Sequence, residues 1–249
     1  MEATEMFNIL DSTDSTNNYA MALVHEGLAK HGMAWFARHQ TAGRGQQGKR
    51  WETVPGENIA ISIALQPGRA FFQNQFFFNA VTANTCYDFF KKHAGTDVSI
   101  KWPNDIYWRD RKAGGLLIEN KLMGNIWKWA IVGIGININQ TEFDPLLPNP
   151  VSLKQITGKH YEPVELARDL HEMLLKNTGV VSENDIPAIL DHYNSHLYKK
   201  GELVRFKKGS VVFESRVKEV NRSGKLVTED SMEREFAFNE IEWLKPVEN

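Results

Sequence analysis

No helical period survives past Tyr198. From Lys199 to Asn249 the chain runs in short stretches, ELVRF, VVFESRVKEV, KLVTED, REFAF and IEWL, broken at Gly201, Gly209 and Gly224. Short strands between turn residues at this spacing predict a small barrel of about five strands. Upstream, strands and helices interleave. DSTDST, starting at Asp11, offers N-caps to a helix with an apolar stripe at Ala20, Leu23, Val24 and Leu28 and a stop at Gly32. Met33–His39 and Asn58–Leu65 (NIAISIAL) read as strands around a polar loop, Gln40–Arg50. Phe76–Lys92 is apolar at helical spacing and ends in basic residues, which suit a helix C-terminus. Strands are expected at Asp97–Trp102, Asp105–Trp108, Gly115–Glu119 and Ile126–Gly133, then helices near Val164–Lys176 and Asp185–His196. The change of texture places a domain boundary near residue 198, giving units 1–198 and 199–249. The seven tryptophans and Phe76–Phe78 read as core rather than interface.

Charge narrows the function classes. Against 29 Lys+Arg stand 31 Asp+Glu, a formal net charge of −2, whereas a DNA-coating protein carries excess positive charge to displace counterions. The last 51 residues hold 11 Lys+Arg and 10 Asp+Glu, so their bulk composition supplies no basic face. The single cysteine, Cys86, excludes an internal disulfide and a multi-cysteine zinc site. MEATEMFNIL lacks the basic flank and apolar run of a signal peptide, and no stretch approaches the ~20 apolar residues of a membrane span. A cytoplasmic, soluble, enzymatic chain is the expectation.

Four segments carry chemistry. Gly43–Trp51 (GRGQQGKRW) has three glycines within six residues, allowing close backbone approach to a ligand, and brings Arg44, Lys49 and Arg50 into one loop. No acidic residue lies between Arg38 and Glu52. The pattern suits a phosphate cradle but matches neither GxxxxGK[ST] nor GxGxxG, and a merely basic surface turn reads equally well. In KWPND, Pro103 forces Trp102 out of helix geometry, so Lys101 ends a strand and can project into a cleft. Taken alone, Lys101 favours the plainer reading of an exposed lysine ahead of a turn. In GIGININ, Gly133 and Gly135 bare the backbone and Asn137 offers an amide that both donates and accepts, which suits a purine edge. A buried strand with an outward-turning asparagine fits as well. Ser15-Thr16-Asn17 opens a helix, where hydroxyls are ordinary caps and also present polar groups to a ligand.

The order of these segments is far more specific than any one of them. STN, Q-T-x-G-R-G-x-x-G-x-x-W, KWPND, K-x-G-G-L-L-I-E, GIGIN and a small β-barrel together resemble the biotin protein ligases over essentially the whole chain. The resemblance implies an α/β (α+β) fold: a mixed β-sheet flanked by helices, the class II synthetase-like biotin/lipoate ligase catalytic domain, with a C-terminal SH3-like β-barrel. It implies a two-step ligase reaction using ATP, Mg²⁺ and biotin, with a biotin carboxyl carrier protein as partner. By that analogy Ser15, Thr16, Asn17 and Gln40 would hold the polar end of biotin. Gly43, Arg44, Gly45 and Gln46 would meet its carboxylate and the phosphate. Lys101 would bridge carboxylate and α-phosphate, with Arg44 as the second catalytic cation, and Asn137 would read adenine. Lys49, Trp51, Asn104 and Lys112 would complete the adenylate contacts, with no metal ligand assigned. No membrane or DNA partner is implied, and a homodimer is compatible.

Two departures stand out. Nothing before Asp11 would hold a helix-turn-helix, which implies a monofunctional ligase rather than a ligase/repressor. Gln46 stands where many relatives carry arginine, so one cation is missing. Lipoate ligases and octanoyl transferases share the fold and are the competing enzymatic reading. A non-enzymatic peptide- or nucleic-acid-binding module is the competing reading of another class.

Overall fold

A computed structural model describes residues 6–72, 74–124, 126–179 and 181–244. The outer ends of the two expected units, residues 1–5 and 245–249, lie outside this range. The first half runs β1 (Phe7–Leu10), α1 (Thr16–His25), β2 (Ala34–Ala37), β3 (Ile59–Leu65), α2 (Gln75–Ala94), β4 (Val98–Lys101), β5 (Asp105–Trp108), β6 (Arg111–Met123) and β7 (Ile126–Ile136). Three helices follow, α3 (Leu153–Thr157), α4 (Pro163–Gly179) and α5 (Ile186–Ser195). The chain closes with β8 (Leu203–Lys208), β9 (Val211–Val220), β10 (Leu226–Glu229), β11 (Glu233–Phe236) and β12 (Glu242–Trp243). Strands β1 to β7 form one sheet in the order β1-β2-β3-β7-β6-β5-β4, and β8 to β12 form another in the order β11-β10-β9-β8-β12. Only β1 and β2 pair in parallel; the rest of the large sheet is antiparallel, so it is mixed.

Successive residues of a strand point to opposite faces, and the two faces of this sheet have different jobs. Along β3, Ile59, Ile61, Ile63 and Leu65 join the main core with Val132, Ile134 and Ile136 of β7 and with the buried phenylalanines of α2. The intervening positions are small: Ala60, Ser62 and Ala64 on β3, Gly133 and Gly135 on β7. Over part of that second face lies α1, in a lesser cluster of Ala20, Trp35, Ala64, Trp129 and Ile131. The rest of it is left open. Large residues on one face therefore build the core, and small ones on the other leave a floor.

Helix α2 begins where the Asn74 side chain accepts the Phe76 N–H at 2.9 Å and ends at Gly95, whose φ is 84°. Phe76 and Phe78 are buried and Phe77 packs half-buried against the same core, as expected. Cys86 is fully buried, and burial pushes its thiol well above the ordinary range. Four tryptophans (Trp35, Trp102, Trp127, Trp129) are buried, but Trp102 also lines a cleft together with the less buried Trp51 and Trp243, which corrects the purely core reading of that residue type.

Other expectations need correction. The first helix stops at His25 rather than Gly32, because Gly27 takes a φ of 72° and the Leu28 N–H turns back to the Leu23 carbonyl. Gly32 instead turns into β2, with a φ of 87° and its N–H on the Ala64 carbonyl. The strand expected at Met33–His39 is only Ala34–Ala37, and Gly115–Glu119 is the middle of a 13-residue strand. β7 runs on to Ile136, three residues past the expected end, so both glycines of GIGIN lie within the sheet. β1 and α3 have no counterpart in the sequence pattern.

The small sheet is fixed to helix α5 by a reciprocal pair. Asn194 Nδ2 donates to the Val220 carbonyl at 2.9 Å while the Val220 N–H donates to Asn194 Oδ1 at 2.7 Å. Trp102 Nε1 adds a bond to the Gly224 carbonyl at 3.0 Å. Among the described residues no helix is long and apolar enough to cross a membrane.

Candidate active site

A cleft of about 890 Å³ lies over the small-residue face of the large sheet. Ala60, Gly115, Gly133 and Gly135 contribute to its floor, and Asn239 and Trp243 of the small sheet's region close one rim. Of the residues singled out from sequence, every one except Gly43 lines this cleft. Segments separated by more than a hundred positions are thus brought to one place.

At one end stands the start of α1. Ser15 is buried and extended (φ −154°, ψ 133°), and its hydroxyl makes no capping bond. Gln40 does that work: its Oε1 accepts the Thr16 N–H at 2.8 Å and the Thr16 hydroxyl at 3.1 Å. Gln40 therefore holds its carbonyl end inward, keeping its NH2 end for other partners. Beneath them Ser62 Oγ lies 2.7 Å from Thr16 Oγ1 and 2.5 Å from Asn17 Oδ1. Asn17 Nδ2 continues the network to the Leu117 carbonyl (3.2 Å) and Glu119 Oε2 (2.8 Å). Gly133 makes room for Asn17, because a Cβ there would sit 2.2 Å from Asn17 Oδ1.

The Gly43–Trp51 loop is a pinched strap. The Trp51 N–H donates to the Gly43 carbonyl at 2.9 Å and the Gly45 N–H to the Lys49 carbonyl at 2.7 Å. A Cβ on Gly43 would lie 2.2 Å from the Trp51 carbonyl oxygen, so Gly43 serves the loop's closure rather than the cleft wall. Gln47 reaches across to hydrogen-bond Asn239. Trp51 covers Gly135, where a Cβ would meet the indole at 2.3 Å, and its buried Nε1 has no partner among the described residues. The backbone that the GIGIN glycines were expected to bare to a ligand is thus partly covered by Asn17 and Trp51, although both glycines still line the cleft.

Arg44 is not the unopposed cation that its own loop suggested. Its guanidinium meets Glu119 of β6 through its two terminal nitrogens, at 2.9 and 3.1 Å, and donates to Asn18 Oδ1 at 2.7 Å. Such a fork fixes geometry more than it adds stability at this half-exposed position, where ion pairs contribute about 0.2–1 kcal/mol. Glu119 closes the GGLLIE run, yet no local spacing could show that it meets an arginine 75 positions away.

Lys101 ends β4, and its neighbours hold the turn after it. Tyr193 donates to the Pro103 carbonyl at 3.0 Å, the Trp102–Pro103 peptide is cis, and Asn104 exchanges bonds with Leu116. Burial pulls the Lys101 ammonium down to about 8; Asp105 works against that, and Lys112 and Lys49 with it. Lys101 Nζ lies 3.2 Å from the Tyr107 hydroxyl, whose own proton burial holds more tightly than usual. Lys112 is paired with Asp105 at 2.8 Å. Asn137, just past β7, donates to the Val151 carbonyl at 3.1 Å and to the Lys112 carbonyl at 3.4 Å. Those donors are engaged, so only its acceptor end is left for a purine, half of what the sequence suggested.

The fold and this arrangement define a class, and the chain belongs to the biotin/lipoate A/B protein ligase family, whose model matches residues 9–137. It is 36% identical over 165 residues to the biotin–[acetyl-CoA-carboxylase] ligase of Paracoccus denitrificans, covering 63% of this chain and 66% of that protein. With the bifunctional ligase/repressor BirA of Escherichia coli (strain K12) it shares 35% over 133 residues, 53% of this chain and 39% of that one. The match thus spans about two thirds of one relative's length and well under half of the other's. In architecture it is similar to the biotin protein ligase of Aquifex aeolicus solved with biotin and ATP: TM-score 0.81, 24% identity, covering 98% of this chain and 100% of that one. That likeness shows a shared fold, a mixed sheet flanked by helices with a small C-terminal sheet.

Proposed function

We propose that the protein is an ATP-dependent ligase that activates biotin as biotinyl-5'-adenylate and transfers it to one lysine of a biotin carboxyl carrier protein. Residues 1–198 would form the catalytic domain and 199–249 an SH3-like barrel. The observation that carries this reading is the convergence of Arg44, Lys101 and Lys112 with the Ser15–Asn17 polar end in one cleft. An elongated ligand with a polar head and an anionic tail fits that division. Ser15 and the NH2 end of Gln40 would bind the head, with Thr16 and Asn17 holding them in place. In the first step a biotin carboxylate oxygen attacks the α-phosphorus, and the bond to the pyrophosphate oxygen breaks. In the second the carrier lysine's neutral ε-amine attacks the acyl carbon, AMP leaves and the amine sheds its proton.

Two anions must approach each other, and negative charge concentrates on the α-phosphate in the transition state. Fixed cations are therefore the principal device, ahead of any proton-transfer residue. Lys101 would face the carboxylate and α-phosphate, Lys112 and Lys49 the phosphate side, Trp51, Asn104 and Asn137 the nucleoside. Arg44, Gly45 and Gln46 would meet the reacting end from the loop. Lys49, Lys101 and Lys112 supply the cations at that point, with Asp105 already held by Lys112, so the lysines suit a triphosphate. Mg²⁺ would arrive on the phosphates and neutralise part of their charge.

Calorimetric titration with biotin and then with lipoate tests the assignment, together with biotin-dependent exchange of labelled pyrophosphate into ATP. Binding of lipoate but not biotin would move the protein to the lipoate branch of its family. Gln46 provides a finer test. A glutamine donates only neutral hydrogen bonds, about half as strong as charge-assisted ones. Gln46→Arg is expected to slow release of preformed adenylate about 10-fold, if the added contact contributes ~1–1.5 kcal/mol. An unchanged or faster off-rate, measured without carrier, would mean that the side chain at position 46 points away from the intermediate.

A further inference from the structure

Of Arg44, Lys101 and Lys112, two are held by carboxylates: Arg44 by Glu119 and Lys112 by Asp105. Among the described residues no carboxylate lies within 4.0 Å of Lys101 Nζ. Aromatic rings surround it instead. The ammonium lies 4.7 Å from the centre of the Tyr107 ring, 5.4 Å from that of Trp243 and 5.5 Å from that of Tyr198. Tyr107 belongs to β5 beside β4, and Tyr198 donates its backbone N–H to the Ile100 carbonyl of β4 at 2.9 Å. Trp243 comes from the opposite end of the chain, on the edge strand β12 of the small sheet.

Resting on the adenylating role given to Lys101 above, we infer that Trp243 is a positioning residue for Lys101, so that the small C-terminal sheet is part of the catalytic apparatus. A lysine has a flexible four-carbon stem and loses much rotamer freedom when held in one place. Ring faces attract a cation through their quadrupole. Unlike a carboxylate, they carry no net charge, so they hold the ammonium without neutralising it. The incoming carboxylate and phosphate then meet a full positive charge already in position. Trp243 is suited to this because its own place is set by packing. Its register partner is Phe206, with ring centres 4.9 Å apart, and Tyr198 lies 5.7 Å away. The next residue, Leu244, donates its N–H to the Arg205 carbonyl at 2.9 Å. The buried indole N–H has no acceptor among the described residues, so the ring is held through its faces and edges.

The full-length protein with ¹³C-labelled lysine tests this, with the Lys101 ε-methylene signal assigned by its loss in K101R. Protons held against ring faces resonate upfield of the exposed lysines. Trp243→Leu, which keeps an apolar side chain against Phe206 but no ring, is expected to move the signal downfield. It is also expected to lower kcat for adenylate formation about tenfold while leaving KM for biotin within about twofold. Trp243→Phe, which restores a ring, should retain the upfield signal and a kcat within about threefold of wild type. An unmoved signal in W243L, an unchanged kcat in W243L, or equal slowing in both variants would overturn the proposal. Absence of biotin-dependent pyrophosphate exchange in the wild type would instead remove the ligase reading, while the Lys101 signal would still report whether Trp243 holds the lysine.

Discussion

Replacing Lys101 by alanine is expected to cut biotin-dependent pyrophosphate exchange by roughly two orders of magnitude while leaving the thermal unfolding transition in place. The size follows from removing one fixed donor aimed at developing charge, which costs about 3 kcal/mol in the transition state. The fold should survive because the Lys101 side chain opens on the cleft, while β4 is held by its pairing with β5 and by Ile100 to His196 and Tyr198. The pH profile gives a second signature. With the ammonium pulled down to about 8 by burial, kcat/KM of the wild type should fall as pH rises through that value, because the free protein loses the cation it needs. Asp105 and Asp110 act to keep the proton, Lys112 and Lys49 to remove it. Lys101→Arg, whose charge persists, should abolish that alkaline fall even if its absolute rate is lower. K101A activity within a few-fold of wild type would take Lys101 out of the mechanism.

Gly133→Ala should have the second-largest effect, and on binding rather than chemistry. The added Cβ would stand 2.2 Å from Asn17 Oδ1. Asn17 is only 3% exposed and is tied to Ser62, Leu117 and Glu119, so it cannot turn aside without leaving polar atoms unpaired. Overpacking costs about 1–3 kcal/mol, and an unsatisfied buried polar group a similar amount. A melting temperature lower by several degrees is expected, since 1 kcal/mol corresponds to about 2–4 °C at this chain length. Biotin affinity should fall by tenfold or more, because the displaced asparagine carries Ser62 and Thr16 with it. Calorimetry at a temperature where the variant is folded decides the matter; wild-type affinity there would show that this network does not shape the binding end.

What the sequence disclosed, and what it withheld, divides by the range of the interaction. Period-two alternation in NIAISIAL, the turn after Lys101 and the short runs after Lys199 are local, and the chain obeys them. The β1 strand is four residues long and pairs only at its end of the sheet, so it carries too few positions to show a period. The α1 stop depends on whether Gly27 or Gly32 ends the helix; both take positive φ, and composition alone does not choose. The site residues found by motif were those whose chemistry is written in a short segment. Glu119, Ser62 and Trp243 were missed because their meaning lies in partners 45 to 142 positions away. Ser62 did leave a trace, as the one polar side chain in IAISIAL, flanked on its own face by two alanines.

The division of β3 and β7 into a bulky face and a small face makes the depth of the cleft and the packing of the core separately adjustable. A change at Ile61 or Val132 would be felt by α2 and α4, and a change at Ala60 by whatever occupies the cleft, with only the strand backbone between them. Ligand size can therefore drift over evolutionary time at one set of alternate positions while stability is maintained at the other.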